Sequence, residues 1–244
     1  MNAFGITDKG KVRSANQDAY RLSLSPDGEY VLAALCDGMG GVHGGEIASA
    51  VAADSFMQYA EDMLRREAKS DAAQVLREAA AYANLKVYDR AFRDESCRGM
   101  GTTLVAALVR PEDAAVVNIG DSRCYWLADA QLQQVTRDHS LVQSMVDRGL
   151  ITEDEARSHP RKNVIMRAVG LERTIRSDIF RLDIRPGDAL LLCSDGLSNV
   201  VTDQEMLYEI LHGGPAENCC QRLMDIAMSR GAPDNVTVVL LEIL

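Results

Sequence analysis

Val31-Leu32-Ala33-Ala34-Leu35-Cys36-Asp37-Gly38-Met39-Gly40-Gly41 carries more of the fold than any other stretch of this chain. Six apolar residues read as a strand, the strand ends on a carboxylate, and a glycine-rich loop leads into a helix. Two nucleotide-binding loops share that outline, and neither fits. A G-x-G-x-x-G fingerprint starting at Gly38 would end on His43, and Asp37 would stand where a pyrophosphate must approach. Gly5-x4-Gly10-Lys11 is followed by Val12 where a phosphate loop needs Ser or Thr, and no helix is expected there. A carboxylate beside a bendable backbone suits a hard cation instead. Magnesium and manganese prefer carboxylate, carbonyl and water oxygens, and glycine lets a main-chain carbonyl join them.

The same pattern recurs outward from this stretch. Leu190–Cys193 leads through Ser194 to Asp195-Gly196, and Val116–Ile119 leads through Gly120 to Asp121. Asp234-Asn235 stands just before the last apolar strand, and Asn16-Gln17-Asp18 opens another. A lone aspartate at a strand end is ordinarily a turn former. Five of them either point apart into solvent or converge in one cleft. Convergence would oppose folding unless a cation compensated the charge.

Between these points, strands are expected at Asn2–Thr7, Ala19–Leu24, Tyr30–Cys36, Thr102–Val109, Ala114–Ile119, Cys124–Leu127, Leu132–Val135, Ile175–Leu182, Ala189–Cys193 and Asn235–Ile243. Helices are expected over 46–68, after the cap Ser70-Asp71, and around Asp203–Leu211 and Ala216–Ser229. In the second helix Ala73, Leu76, Ala80, Ala83, Val87 and Ala91 form one apolar stripe. Grouped rather than alternating elements imply an α+β chain with antiparallel sheets and outer helices. Residues 138–167 are polar, with one short amphipathic helix (Leu141, Val142, Met145, Val146), and read as a flap or an inert surface excursion. No linker or repeat appears, so 1–244 reads as a single domain.

The net charge of −10 argues against nucleic acid as a partner. No apolar run reaches membrane-span length, and the first ten residues lack signal-peptide character, which together point to the cytoplasm. The six cysteines show no zinc spacing and none opens a Cys-x5-Arg phosphate loop, so reduced core cysteines are expected.

The ordered set Arg13-x-x-Asn16-Gln17-Asp18, Asp37–Gly41 with Gly45-Glu46, Gly99–Thr103, Gly120–Arg123, Asp138–Ser140, Arg167–Gly170, Ser194–Leu197 and Asp234-Asn235 spans nearly the whole chain. In that order it resembles the metal-dependent protein phosphatases, the type-2C Ser/Thr phosphatases, in their short bacterial form. The resemblance implies a four-layer α/β/β/α sandwich with a metal cleft at one edge. It implies Asp37 bridging two Mn2+ or Mg2+ ions, the Gly38 carbonyl on one, and Asp195 and Asp234 on the other. Asp18, with Gln17 a weaker candidate, would act through water. Asp121, together with Asp195, would hold a weaker third ion, and Arg13 the substrate phosphate. It also implies phosphoserine and phosphothreonine proteins as substrates, and a bacterial Ser/Thr kinase as the opposing activity. Direct attack by water is expected, with no phosphoenzyme. A catalytically dead phosphoprotein-binding module is the rival, disfavoured because every expected acid is present.

Three departures from the family pattern stand out. Met39 replaces the histidine of eukaryotic members, Val42 with His43 displaces the histidine usual in bacterial ones, and Gln17 replaces a common glutamate. The general acid is therefore unassigned. His139 and His159 are either acids for the leaving alkoxide or structural histidines.

Overall fold

The computed structural model describes residues 1–40, 44–67 and 69–244. Gly41, Val42 and His43 of the glycine-rich loop, and Ala68, lie outside them.

The strand at the heart of the opening stretch, β3 (Val31–Met39), shows why the chain layers as it does. Leu32, Ala34 and Cys36 face one cluster, while Val31, Ala33 and Leu35 face another, and all six are buried. A strand that is apolar on both faces must be covered on both. On one side lie the helices α1 (Gly44–Arg66) and α2 (Ala72–Arg93), capped by Asp71 as the sequence suggests. On the other lies a second sheet.

The sheet containing β3 runs β2 (Asp18–Leu24), β3, β5 (Leu104–Arg110), β6 (Asp113–Ile119) and β9 (Asp178–Leu182), with the two-residue β4 (Gly101–Thr102) pairing the end of β3. The second sheet runs β1 (Asn2–Asp8), β11 (Val236–Glu242), β10 (Ala189–Cys193), β7 (Arg123–Ala128) and β8 (Gln131–Gln134). All neighbours are antiparallel. The outer face of the second sheet packs Leu191, Cys193, Val238 and Leu240 against Leu223, Met224 and Ala227 of α7 (Ala216–Ser229) and Met206 of α6 (Asp203–His212). Four layers result, helix on sheet on sheet on helix, as expected.

Two local expectations are corrected. β3 does not end at Cys36 but runs on through Asp37, Gly38 and Met39, because Gly38 and Met39 pair with Thr102 and Gly101. Residues 138–167 hold α3 (Leu141–Asp147) and also α4 (Glu153–Ser158), closed by a capping box of Thr152 and Glu155. A one-turn helix, α5 (Asp195–Ser198), follows β10 directly. All six cysteines are free and buried.

Candidate metal centre

Strand direction brings the five acids to one end of the sandwich. Asp18 opens β2 and pairs in register with Asp37 of the antiparallel β3. β6 runs parallel to β3 two strands over, so Asp121, two residues beyond it, emerges at the same end. In the second sheet Asp195 follows the end of β10, and Asp234 precedes the start of its antiparallel neighbour β11.

The two sheets are tied together here by buried hydroxyls. Asp18 Oδ2 accepts from Ser194 Oγ at 2.8 Å and Thr237 Oγ1 at 2.6 Å, and Thr237 N–H donates to Ser194 Oγ at 3.0 Å. Asn235 reaches back across the sheets, accepting from Gln17 N–H and donating to the carbonyls of Lys9 and Ala15. Gly38 is wedged so tightly that a Cβ there would lie 2.0 Å from the Gly45 carbonyl oxygen. Only glycine allows that approach, and it places the Gly38 backbone next to Asp37 and Asp18.

Asp37 itself is fixed through its backbone. Its N–H donates to Thr103 Oγ1 at 2.9 Å, and its carbonyl accepts from Thr103 N–H and Thr102 Oγ1. Thr103 Oγ1 in turn pairs with Ser122 Oγ at 2.7 Å, beside Asp121. Sequence reading flagged Thr102 and Thr103 without a role and missed Ser194 and Thr237 as supports. A hydroxyl inside an otherwise apolar strand is the one signal that could have marked Thr237.

The electrostatics are those of crowded, buried carboxylates. Burial raises the Asp37 carboxyl well above its ordinary range, and the charges of Asp18, Asp195, Asp121 and Asp234 raise it further. Burial pushes Asp18 up to about 7, opposed by its two hydroxyl donors. Burial and the neighbouring Asp195 take Asp121 to about 7. Burial and Asp234 take Asp195 to about 6, held back by a hydrogen bond with Asp37 and another from Asn199. Asp18 Oδ1, Asp121 Oδ1 and Asp195 Oδ1 are buried with no hydrogen-bond partner. Buried carboxylate oxygens of this kind ordinarily find a donor; divalent cations and the waters they carry would satisfy them. Among the described residues, no three aspartate, glutamate, histidine or cysteine side chains are yet close enough together to hold a metal ion by themselves.

Arg13 lies at the rim, half-exposed, donating from NH2 to Asp234 Oδ2 at 2.8 Å. A groove of about 310 Å³ leads from Asp121 and Asp195 towards the 138–167 segment, passing Arg123, Asp138, Arg157 and Lys162. Arg123 grips Asp138 with Nε at 3.0 Å and NH2 at 2.8 Å. His159 only caps its own loop, accepting from Arg161 N–H. His139 is buried beneath that segment with its ring turned to Gly120 and Asp178. The cysteines offer no nucleophile: burial pushes the Cys193 thiol up to about 12 and Cys36 higher still.

Comparison with known proteins agrees with this geometry. Residues 9–231 match the model of the family described as protein phosphatase 2C. A serine/threonine phosphatase, stp, of Listeria monocytogenes is 34% identical over 242 residues, covering 99% of this chain and 96% of that one. The crystal structure of the Mycobacterium tuberculosis serine/threonine phosphatase PstP superposes with a TM-score of 0.89 at 36% identity, covering 99% of this chain and 98% of that one. The catalytic domain of PstP in complex with two manganese ions superposes with a TM-score of 0.84 at 35% identity, covering 98% and 96%. Acids, topology and sequence agree, and the chain belongs to the protein phosphatase 2C family, as a protein phosphatase of the short bacterial type.

Proposed function

We propose that this phosphatase hydrolyses phosphoserine and phosphothreonine in proteins by direct attack of water, using two Mn2+ or Mg2+ ions held by Asp37, Asp195, Asp234 and the Gly38 carbonyl. The observation that carries the reading is the convergence of buried carboxylates from both sheets, three with an oxygen lacking any partner. When bound, such an ion pair supplies an activated water at neutral pH and neutralises charge developing on the phosphoryl group.

The chain's own residues do the rest. Thr102 and Thr103 hold the Asp37 backbone, which fixes the point from which its side chain departs. Ser194 and Thr237 orient Asp18, leaving its Oδ1 to accept from water. Arg13, paired with Asp234 at the rim and half-exposed, would bind two phosphate oxygens bidentately. Together with the cations it would make the cleft locally positive on a net-acidic protein. Asp121 with Asp195 would hold a third, weaker ion. Residues 138–167 act as a flap over the groove within a single 1–244 catalytic unit. No described helix is long and apolar enough to cross a membrane. In this reading the phosphatase works in the cytoplasm, opposing a bacterial Ser/Thr kinase on its phosphoprotein targets.

Release of phosphate from a phosphothreonine peptide should need added Mn2+ or Mg2+ and stop with chelator. Activity that survives exhaustive chelation would refute the metal assignment, and an unchanged kcat/KM in Arg13→Ala would remove Arg13 from phosphate binding.

A further inference from the structure

The turn that presents Asp121 and the two ends of the 138–167 segment meet at one residue, His139. Its backbone N–H donates to the Gly120 carbonyl at 2.9 Å, and Gly120 N–H donates back to the His139 Nδ1 at 3.0 Å. Its own carbonyl accepts from Met166 N–H at 2.7 Å, at the far end of the segment. Just inside that closure, Ser140 bridges Ile165 and Leu141 N–H donates to the Val164 carbonyl. On the other side of the ring, Nε2 lies 3.1 Å from Asp178 Oδ2 and 2.9 Å from Arg167 NH1, while Arg167 NH1 also donates to Asp178 Oδ1 at 2.9 Å. The imidazole therefore joins the turn after β6 to Asp178 at the start of β9, and through Asp178 to Arg167 at the far root, while the main chain of 139–141 closes onto 164–166.

Proton placement at this ring is dictated by its neighbours. Gly120 N–H requires a lone pair on Nδ1, so a neutral ring must carry its proton on Nε2 and donate to Asp178. Arg167 NH1 is itself a donor and rests against Nε2 as a neighbour, its hydrogen bond going to Asp178. Protonating Nδ1 would set it against the Gly120 N–H. Burial lowers the His139 pKa, with Asp178 raising it and Arg167 lowering it. The side chain is only 9% exposed.

We propose that His139 is a positioning residue: as the neutral Nε2–H imidazole it locks both roots of residues 138–167 to the Gly120 turn and thereby fixes the place of Asp121. The link to the reaction rests on the reading of Asp121 as a cation ligand, whereas the lock itself does not. The arrangement differs from a general acid, since both ring nitrogens are committed to protein groups and neither opens to the cleft.

Nitrogen-15 NMR of the metal-free chain tests the lock directly. A scalar coupling across the hydrogen bond between Gly120 N and His139 Nδ1, with the ring proton on Nε2, is the expected signature; a proton on Nδ1 overturns the proposal. In His139→Ala, amide exchange across 140–166 should accelerate and Mg2+ binding by calorimetry should weaken roughly 10-fold, as for other groups that orient a ligand through a neighbour. His139→Asn, whose Oδ1 can still accept from Gly120 N–H, should recover most of both. Exchange equal to wild type in His139→Ala, or Asn no better than Ala, would refute it. Asp121→Asn should weaken Mg2+ binding without loosening 140–166. If that variant binds Mg2+ normally, the ligand reading fails while the exchange data still judge the lock.

Discussion

Asp37 stands among Asp18, Asp121, Asp195 and Asp234, and burial together with those four charges drives its carboxyl upward. The metal-free fold therefore holds this residue in a state it opposes, as binding sites often do. An amide of the same shape removes the charge and keeps the packing. Asp37→Asn should accordingly raise the melting temperature in chelator at pH 7.5, while lowering kcat by orders of magnitude. Scanning calorimetry alongside a phosphopeptide assay checks both, and a lower Tm would mean the carboxylate is not under strain. The positions of the acids were legible in the sequence because each sits beside an apolar strand, and strand ends in antiparallel sheets gather at common edges. Their supports were not legible. Ser194 lies 176 residues from Asp18 and Thr237 lies 219, so no local pattern connects either hydroxyl to the carboxylate it serves.

At the scale of elements, the junction of β3 with β4 and the turn after β6 acts as the frame of the site. Thr103 joins them: its hydroxyl accepts from Asp37 N–H and pairs with Ser122 Oγ. Thr103→Val keeps the shape but leaves that buried N–H without a partner, a loss of about 1–3 kcal/mol. Urea unfolding in chelator should show the loss, and Mn2+ should bind more weakly because both Asp37 and Asp121 are loosened. Stability within error of wild type would show that water replaces the hydroxyl. The same junction explains where sequence reading stopped short. A carboxylate and a glycine looked like the end of a strand, yet pairing with Gly101 and Thr102 outweighs glycine's weak preference for strand and carries β3 to Met39. Helix α4 has no buried residue, so it leaves no apolar stripe to read, and its only trace was the Thr152-x-x-Glu155 capping box. Helix α7, with six buried residues on one face, was read to its exact ends.

For the molecule as a whole, the site couples folding to protons and to cations in a calculable direction. Asp18 and Asp121 titrate at about 7 and Asp195 at about 6 in the metal-free fold, against an ordinary value of 3.8. Between about pH 4 and pH 7 the folded chain retains protons that the unfolded chain has lost. Unfolding then releases protons, so stability falls as pH rises through that window. This is opposite to the usual behaviour of carboxylates engaged in ion pairs, which lose stability on acidification. Surface pairs such as Arg181 with Asp71 contribute that usual trend, and being exposed they contribute little. The metal-free protein should therefore melt higher at pH 5.5 than at pH 8. Divalent cations compete with those protons for the same oxygens, so added Mn2+ should raise Tm more at pH 8 than at pH 5.5 and shrink or reverse the difference. Calorimetric scans at both pH values, with chelator and with Mn2+, decide the matter. Equal Tm values in chelator would show that the acids do not share a buried cleft. A Mn2+ shift independent of pH would show that the cation binds elsewhere.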